Sequence, residues 1–334
     1  MWHDKTMNID RRQALAAVAA TAALAAPWAV AQAAFPSRPI RIVVPFGAGG
    51  IADLTARAVG KELGERLKQS VIIDNRPGAG GVSAGELVAR AEPDGHTLLL
   101  MSNGTAVSAG LFRKLPFDAQ KDFAPVSLIG TFDIAVLVAQ NSRFKTLAEL
   151  LAYAKANPGK LNIATVAVGS TQNLAAELFK TTAGIEAQVV PFNGTPAVIT
   201  ALRSGEVDAG VEILGPVRTQ ITSKALRALA VLGDKRPVGL GEVVPTAAES
   251  GGPLAGFDVA SWNALAAPAG TPRPVVERLQ REVAAALATP ELKQRLADLS
   301  VEARSSTPEQ LGSLLGSEIR RWSQVIERAR IARQ

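Results

Sequence analysis

The chain has 334 residues, with 36 basic and 30 acidic side chains (formal net charge +6), 47% apolar and 4% aromatic content, no cysteine, and two histidines, His3 and His96. This excludes a disulfide scaffold, a zinc finger, an iron–sulfur site and a His-rich metal centre. The apolar content argues against disorder, and the length suffices for one large domain or two modest ones.

Residues 1–33 read as an export signal. Lys5, Arg11 and Arg12 make a basic start, an Ala-rich run covers residues 14–26, and Ala31–Gln32–Ala33 forms an A-x-A cleavage pattern. The run is too short to span a hydrocarbon core of about 30 Å. The Arg11–Arg12 pair fits a twin-arginine signal and an ordinary secretory start equally. Cleavage near Ala33 would give a periplasmic protein. Basic residues beyond it are scattered or stand beside acids, as in Lys61–Glu62 and Glu65–Arg66, so nucleic-acid binding is not expected.

The β-branched run 40–44 predicts a buried parallel strand, closed by Pro45. Residues 47–50 (GAGG) open a helix whose apolar face carries Leu54, Ala58, Leu63 and Leu67. A strand at 71–73, a second Gly loop at 78–81, a helix to about Ala91 and a strand at 97–101 complete a βαβαβ unit. The alternation restarts with strands at 134–138, 161–164, 188–190, 207–213 and 226–231, and helices at 147–156, after Ser170, and at 196–202. A strand at 262–267 and three helices, 274–288, 290–299 and 308–332, close the chain. The expected division is a first lobe of residues 34–132 plus 256–334, a second of 133–255, and a ligand cleft at the strands' C-terminal ends.

Few motifs carry chemistry. Residues 47–52 match G-x-G-x-x-A after a strand, and Asp74 lies 22 residues beyond Ala52, as in a dinucleotide fingerprint. Export would separate such a site from the cytoplasmic cofactor pool, and Asp53 would face a pyrophosphate with like charge. A small-anion nest at a helix N-terminus, or a plain tight turn, satisfies the same glycines. Asp53 equally serves as a partner of the helix dipole. Residues 81–85 (GVSAG) match G-x-S-x-G but follow a loop, and Ser83 lacks a base. In the second half Gly169, Ser170 and Thr171 open a helix at the place equivalent to Gly49–Gly50, so two helix starts could hold carboxylates without arginine. Residues 192–195, with Phe192, Gly194 and Thr195, make either a cleft loop or a β–α turn. Glu212 is either a rim acid or a receiver of a ligand ammonium or hydroxyl.

Several stretches resemble one family. Residues 45–57 are similar to its "PF-x-x-GG-x-x-D-x-x-x-R", 74–81 (DNRPGAGG) to its second Gly loop, 93–98 (PDGHTL) to "PDGYTLL", 245–250 (PTAAES) to "PT-x-x-E-x-G", and 261–272 to "SW…APAGTP". The family is the solute receptors of the tripartite tricarboxylate transporter, also called Bug proteins. The resemblance implies a two-lobed, type 2 periplasmic binding-protein fold in α/β layers, each lobe a mainly parallel sheet flanked by helices. It implies no catalysis and no cofactor, capture of a small carboxylate by cleft closure, and delivery by a monomer to a two-subunit membrane permease or, in some members, sensing. Carried over, the site residues are Phe46, Gly49, Gly50, Asp53 and Ser102 in the first lobe. Those in the second are Thr165, Gly169, Ser170, Thr171, Phe192, Gly194, Thr195 and Glu212. Ala167, Asn173, Phe192–Asn193 and Glu212 depart from the family's usual Gly, His, Tyr–Lys and Asp. That points toward an amino acid or neutral-tailed monocarboxylate. The alternative from a different class is an exported NAD(P)-dependent oxidoreductase using the loop 47–52.

Overall fold

A computed structural model describes residues 35–166, 168, 170–237, 239–240 and 243–334. The expected export signal, residues 1–33, lies outside the described residues. Ten strands and ten α-helices follow in the order β1 (Ile40–Val44), α1 (Ile51–Leu67), β2 (Val71–Asn75), α2 (Val82–Ala89), β3 (Thr97–Ser102), α3 (Asn103–Leu111), β4 (Phe123–Ala139), α4 (Leu147–Ala156), β5 (Leu161–Val166), α5 (Thr171–Ala183), β6 (Ala187–Phe192), α6 (Thr195–Ser204), β7 (Ala209–Ile213), α7 (Leu214–Thr222), β8 (Leu226–Val231), β9 (Ala260–Pro268), α8 (Arg273–Ala288), α9 (Pro290–Asp298), β10 (Glu302–Ala303) and α10 (Pro308–Arg328). A 3₁₀ turn over Ala79–Gly81 leads into α2.

The strands form two half-sheets joined by β4. In the first, β2, β1, β3, β9 and β4 lie side by side, with β10 on the outer edge of β4. In the second, β4 is flanked by β7 and β8, and β5 and β6 continue beyond β7. Residues Phe123–Asp133 of β4 pair with β9, and the pairing passes to β7 and β8 from Ile134. The β1–β2, β1–β3, β5–β6 and β5–β7 pairs are parallel, whereas every pair made by β4 or β9 is antiparallel. Strands β4 and β9 carry the chain between the halves, so they run against the strand–helix units on either side.

The first 11 residues of β4 escape the sequence pattern because Pro125 and Gly130 punctuate them. Register shifts at Pro125/Ser127 and Leu128/Gly130 accommodate both, as bulges do. Helix α3 (NGTAVSAGL) is unexpected from composition. Ser102 starts it with a capping box, its side chain accepting the Gly104 N–H at 3.2 Å while Thr105 Oγ1 accepts the Ser102 N–H at 3.3 Å. Helix α10 is stopped into register by Thr307 and Gln310 in the same way, with Pro308 in its first turn.

Helix α10 returns to pack on α3 and β4. Its Trp322 is fully buried, and the indole N–H is shared between Asn103 Oδ1 at 2.7 Å and Glu318 Oε2 at 2.8 Å. Among the described residues no helix is long and apolar enough to cross a membrane. Truncating Trp322 empties a large core volume and strands two buried acceptors. Trp322→Ala is therefore expected to lose about 3–5 kcal/mol of unfolding free energy in urea titrations. A loss below about 1 kcal/mol would show that α10 does not anchor the first half.

Candidate functional site

A cavity of about 520 Å³ opens between residues of the two half-sheets. Six helix starts reach its wall: Gly50, Ile51 and Ala52 for α1; Gly80 and Gly81 before α2; Ser102, Gly104 and Thr105 for α3; Ser170, Thr171 and Gln172 for α5; Gly194 and Thr195 for α6; and Ile213 with Pro216 for α7. The first N–H groups of a helix have no intrahelical partner, and the helix dipole adds positive potential there. No Lys or Arg stands among the described lining residues. The positive character of the wall is therefore partial charge on backbone amides. The remaining wall is mostly apolar, with Phe46, Phe112, Phe132, Val166 and Val168 beside the polar Ser261, Asn263 and Gln334. Phe46 in the first half and Val168 in the second are 41% and 47% exposed, unusual for large apolar side chains.

Local chemistry fixes these starts. Gly194 caps α6 with φ of 87°, the left-handed region, with Pro196 in the first turn. Gly80 has φ of 59°, and a Cβ there would sit 2.5 Å from Phe112 Cε2 and Ser108 Oγ. Ser170 caps α5 by accepting the Asn173 N–H at 3.1 Å. The Asn173 side chain donates to Thr165 Oγ1 at 3.2 Å.

The expected site residues separate into two sets. Phe46, Gly50, Ser102, Ser170, Thr171, Gly194 and Thr195 line the cavity. Gly169 lies outside the described residues. Gly49, Asp53, Thr165, Phe192 and Glu212 are absent from the described lining and support it from behind. Phe192 packs on the core of the second half. Thr165 is buried, its hydroxyl donating to the Val166 carbonyl at 3.0 Å. Asp53, 2% exposed, accepts the Gly49 N–H at 2.8 Å and Arg57 Nε–H at 3.0 Å. Arg57 continues to Asn75 Oδ1 at 3.2 Å, and Asn75 donates to the Phe46 carbonyl at 3.0 Å. Burial raises the Asp53 pKa, but the bonds from Arg57, Gly49 and Asn75 outweigh it and hold the carboxyl below its ordinary range. The first Gly loop is thus pinned at both ends, and an amide that a pyrophosphate would need is already spent. Asp74, the acid of the dinucleotide pattern, is occupied by Arg41 and Arg76.

Glu212 is the clearest departure from expectation. It is fully buried rather than at a rim. Its Oε2 accepts Gln172 Nε2–H at 3.3 Å and the Ile213 N–H at 3.0 Å, while Oε1 has no hydrogen-bond partner among the described residues. Both partners line the cavity, so Glu212 ties the starts of α5 and α7 together. Pattern reading also missed Gln172, Phe112, Phe132, Ser261 and Asn263, all in the lining.

The profile of the tripartite tricarboxylate transporter family receptor (TctC) matches residues 55–331. The chain belongs to this receptor family. Its members include proteins named Bug. The receptor is 39% identical, over 97% of its length and 96% of the relative's, to a protein of the tcbD–tcbE intergenic region of Pseudomonas sp. (strain P51). It superposes on an R. palustris protein solved with adipate (TM-score 0.79, 33% identity, 89% of this chain and 99% of that one). It also superposes on MatC from Rhodopseudomonas palustris with bound malate (TM-score 0.76, 34% identity, 87% and 100% covered). Family and neighbours are solute-binding proteins, so the chain is a receptor and not an enzyme, and the oxidoreductase alternative falls.

Burial pushes the Glu212 carboxyl up from its ordinary 4.5 to about 7, against the bonds from Gln172 and Ile213. Between those values the folded chain keeps a proton that the unfolded chain releases, so stability falls as pH rises through the window. Glu212→Gln carries no such proton. Its stability relative to wild type is expected to climb between pH 4.5 and 7, by roughly 3 kcal/mol at the upper end. Urea midpoints that run parallel across the window would contradict this.

Proposed function

We propose that the receptor works in the periplasm after cleavage of the signal near Ala33, and captures a small carboxylate with an apolar body. The observation that carries this reading is the convergence of six helix starts on a cavity with no Lys or Arg among its described lining residues. Such amides bind an anion's oxygens at close range, each bond to a charged acceptor being worth about 1.5–3 kcal/mol. Phe46, Phe112, Phe132 and Val168 suit the rest of an aliphatic or aromatic acid. The adipate and malate bound by the R. palustris relatives support the same class.

The mechanism proposed is closure of two lobes, residues 34–132 plus 256–334 against 133–255, about the passage of β4 between Asp133 and Ile134. Helix starts from both lobes then contact one ligand, and those shared contacts favour the closed form. The closed form is what a two-subunit membrane permease of the tripartite type would read.

A ligand at about 100 times its Kd should stabilise the protein by roughly 2.7 kcal/mol. A thermal-shift panel of mono-, di- and tricarboxylates, amino acids and NAD(H) is expected to respond to a carboxylate and stay silent with NAD(H). Ser170→Asp preserves an N-cap acceptor while placing a negative charge at the start of α5. That variant is expected to melt near the wild-type temperature and lose the carboxylate response. An unchanged response would place the anion site elsewhere.

A further inference from the structure

Past α10 the chain turns back to the cavity. Arg330 is left-handed (φ 52°), its N–H reaches the Glu327 carbonyl at 3.1 Å, and the Ile331 N–H reaches the Ile326 carbonyl at 3.0 Å. These two bonds are a Schellman stop, and Ile331 packs on the core beside it. Three residues on, the Gln334 N–H donates to the Leu111 carbonyl at 3.0 Å, and the Arg113 N–H donates to the Gln334 carbonyl at 2.8 Å. Bonds from one residue to both neighbours of another are those of a parallel pair. Gln334 therefore stands in register with Phe112, which is itself extended (φ −89°, ψ 135°). Residues paired in this way present their side chains on the same face. Both line the cavity. Gln334 is exposed, and its carboxamide has no hydrogen-bond partner among the described residues. Other polar side chains of the lining are engaged by the fold: Ser102 and Ser170 cap helices, and Gln172 donates to Glu212. The backbone of residues 330–334 thus holds an uncommitted carboxamide at the wall, beside an aromatic ring.

We propose that Gln334 is a specificity-determining residue, set in place by the strap 330–334, whose carboxamide hydrogen-bonds a hydroxyl on the body of the bound carboxylate. The carboxamide both donates and accepts, as a hydroxyl does, so the two can satisfy each other in either direction. Phe112, in register beside it, flanks the carbon skeleton that carries the hydroxyl. An acid without the hydroxyl displaces the water on the carboxamide and does not replace its bonds. The receptor then prefers a hydroxy acid to the plain acid of the same skeleton. This inference rests on the carboxylate reading above.

The test is calorimetric titration of the purified receptor with three matched pairs: hexanoate with 6-hydroxyhexanoate, phenylacetate with 4-hydroxyphenylacetate, and succinate with malate. Wild type is expected to bind the hydroxy acid of at least one pair about threefold to tenfold tighter than its plain partner, the range of one neutral hydrogen bond. Gln334→Met keeps the length and deletes the donor and acceptor, and is expected to reduce that preference to less than about twofold. Gln334→Ala should do the same, whichever way the longer Met side chain packs. Equal wild-type affinities within all three pairs, or a preference that survives in both variants, overturn the proposal and leave carboxylate capture intact. Loss of folding in both variants assigns Gln334 a structural role and also overturns it. Binding of none of the six acids overturns the carboxylate reading, and the role of Gln334 with it.

Discussion

Strand β4 changes partners in mid-course, and the rest of the architecture follows from that. It belongs to the first half-sheet up to Asp133 and to the second from Ile134. A single extended segment thereby orients two sets of strand–helix units about one gap. In each unit the chain leaves the carboxyl end of a strand and turns into a helix, so the helix begins where the strand ends. β1, β2, β3, β5, β6 and β7 each end beside the cavity in this way. The convergence of helix starts is thus a product of topology, with the loop residues adjusting each start rather than creating the arrangement.

The acids around the cavity are part of the scaffold. Asp53 locks the first Gly loop from below, and Glu212 joins the starts of α5 and α7. The two solve opposite electrostatic problems. Asp53 meets a guanidinium and stays charged, whereas Glu212 has only neutral donors and its proton is held near neutrality. Neither is among the described lining residues, yet each accepts a backbone N–H beside the cavity, from Gly49 and Ile213.

The sequence pattern made much of this legible. β1, the GAGG loop and the turn at Pro93–Gly95 are local signals, in which apolar runs and glycines act over a few residues. What stayed hidden depends on long-range pairing. Helix α3 sets Asn103, two glycines, Ser108 and two β-branched residues, all of poor propensity, beside Ala106, Ala109 and Leu111, and is held by the Ser102 cap and the cover of α10. The opening stretch of β4 is disguised by Pro125 and Gly130, which only its bulges make tolerable. Asn263 reads as one polar residue in an apolar strand, and its place opposite Ser102 is set by the pairing of β9 with β3, from the other end of the chain. Glu212 has the same difficulty: its neighbours decide whether it faces solvent, and its two donors come from the starts of α5 and α7.

The cation-free wall also decides at what range the receptor senses its ligand. A full charge in a cleft projects a field over roughly a Debye length, about 8 Å at physiological ionic strength, and draws anions in. The potential of a helix start fades within its own first turn. An anion outside the cleft therefore meets little attraction, and encounter proceeds by unaided diffusion. Discrimination begins on contact, when oxygens replace water at the amides, and background salt has little leverage on it. Release is eased for the same reason, since no buried ion pair must be broken to hand the ligand on.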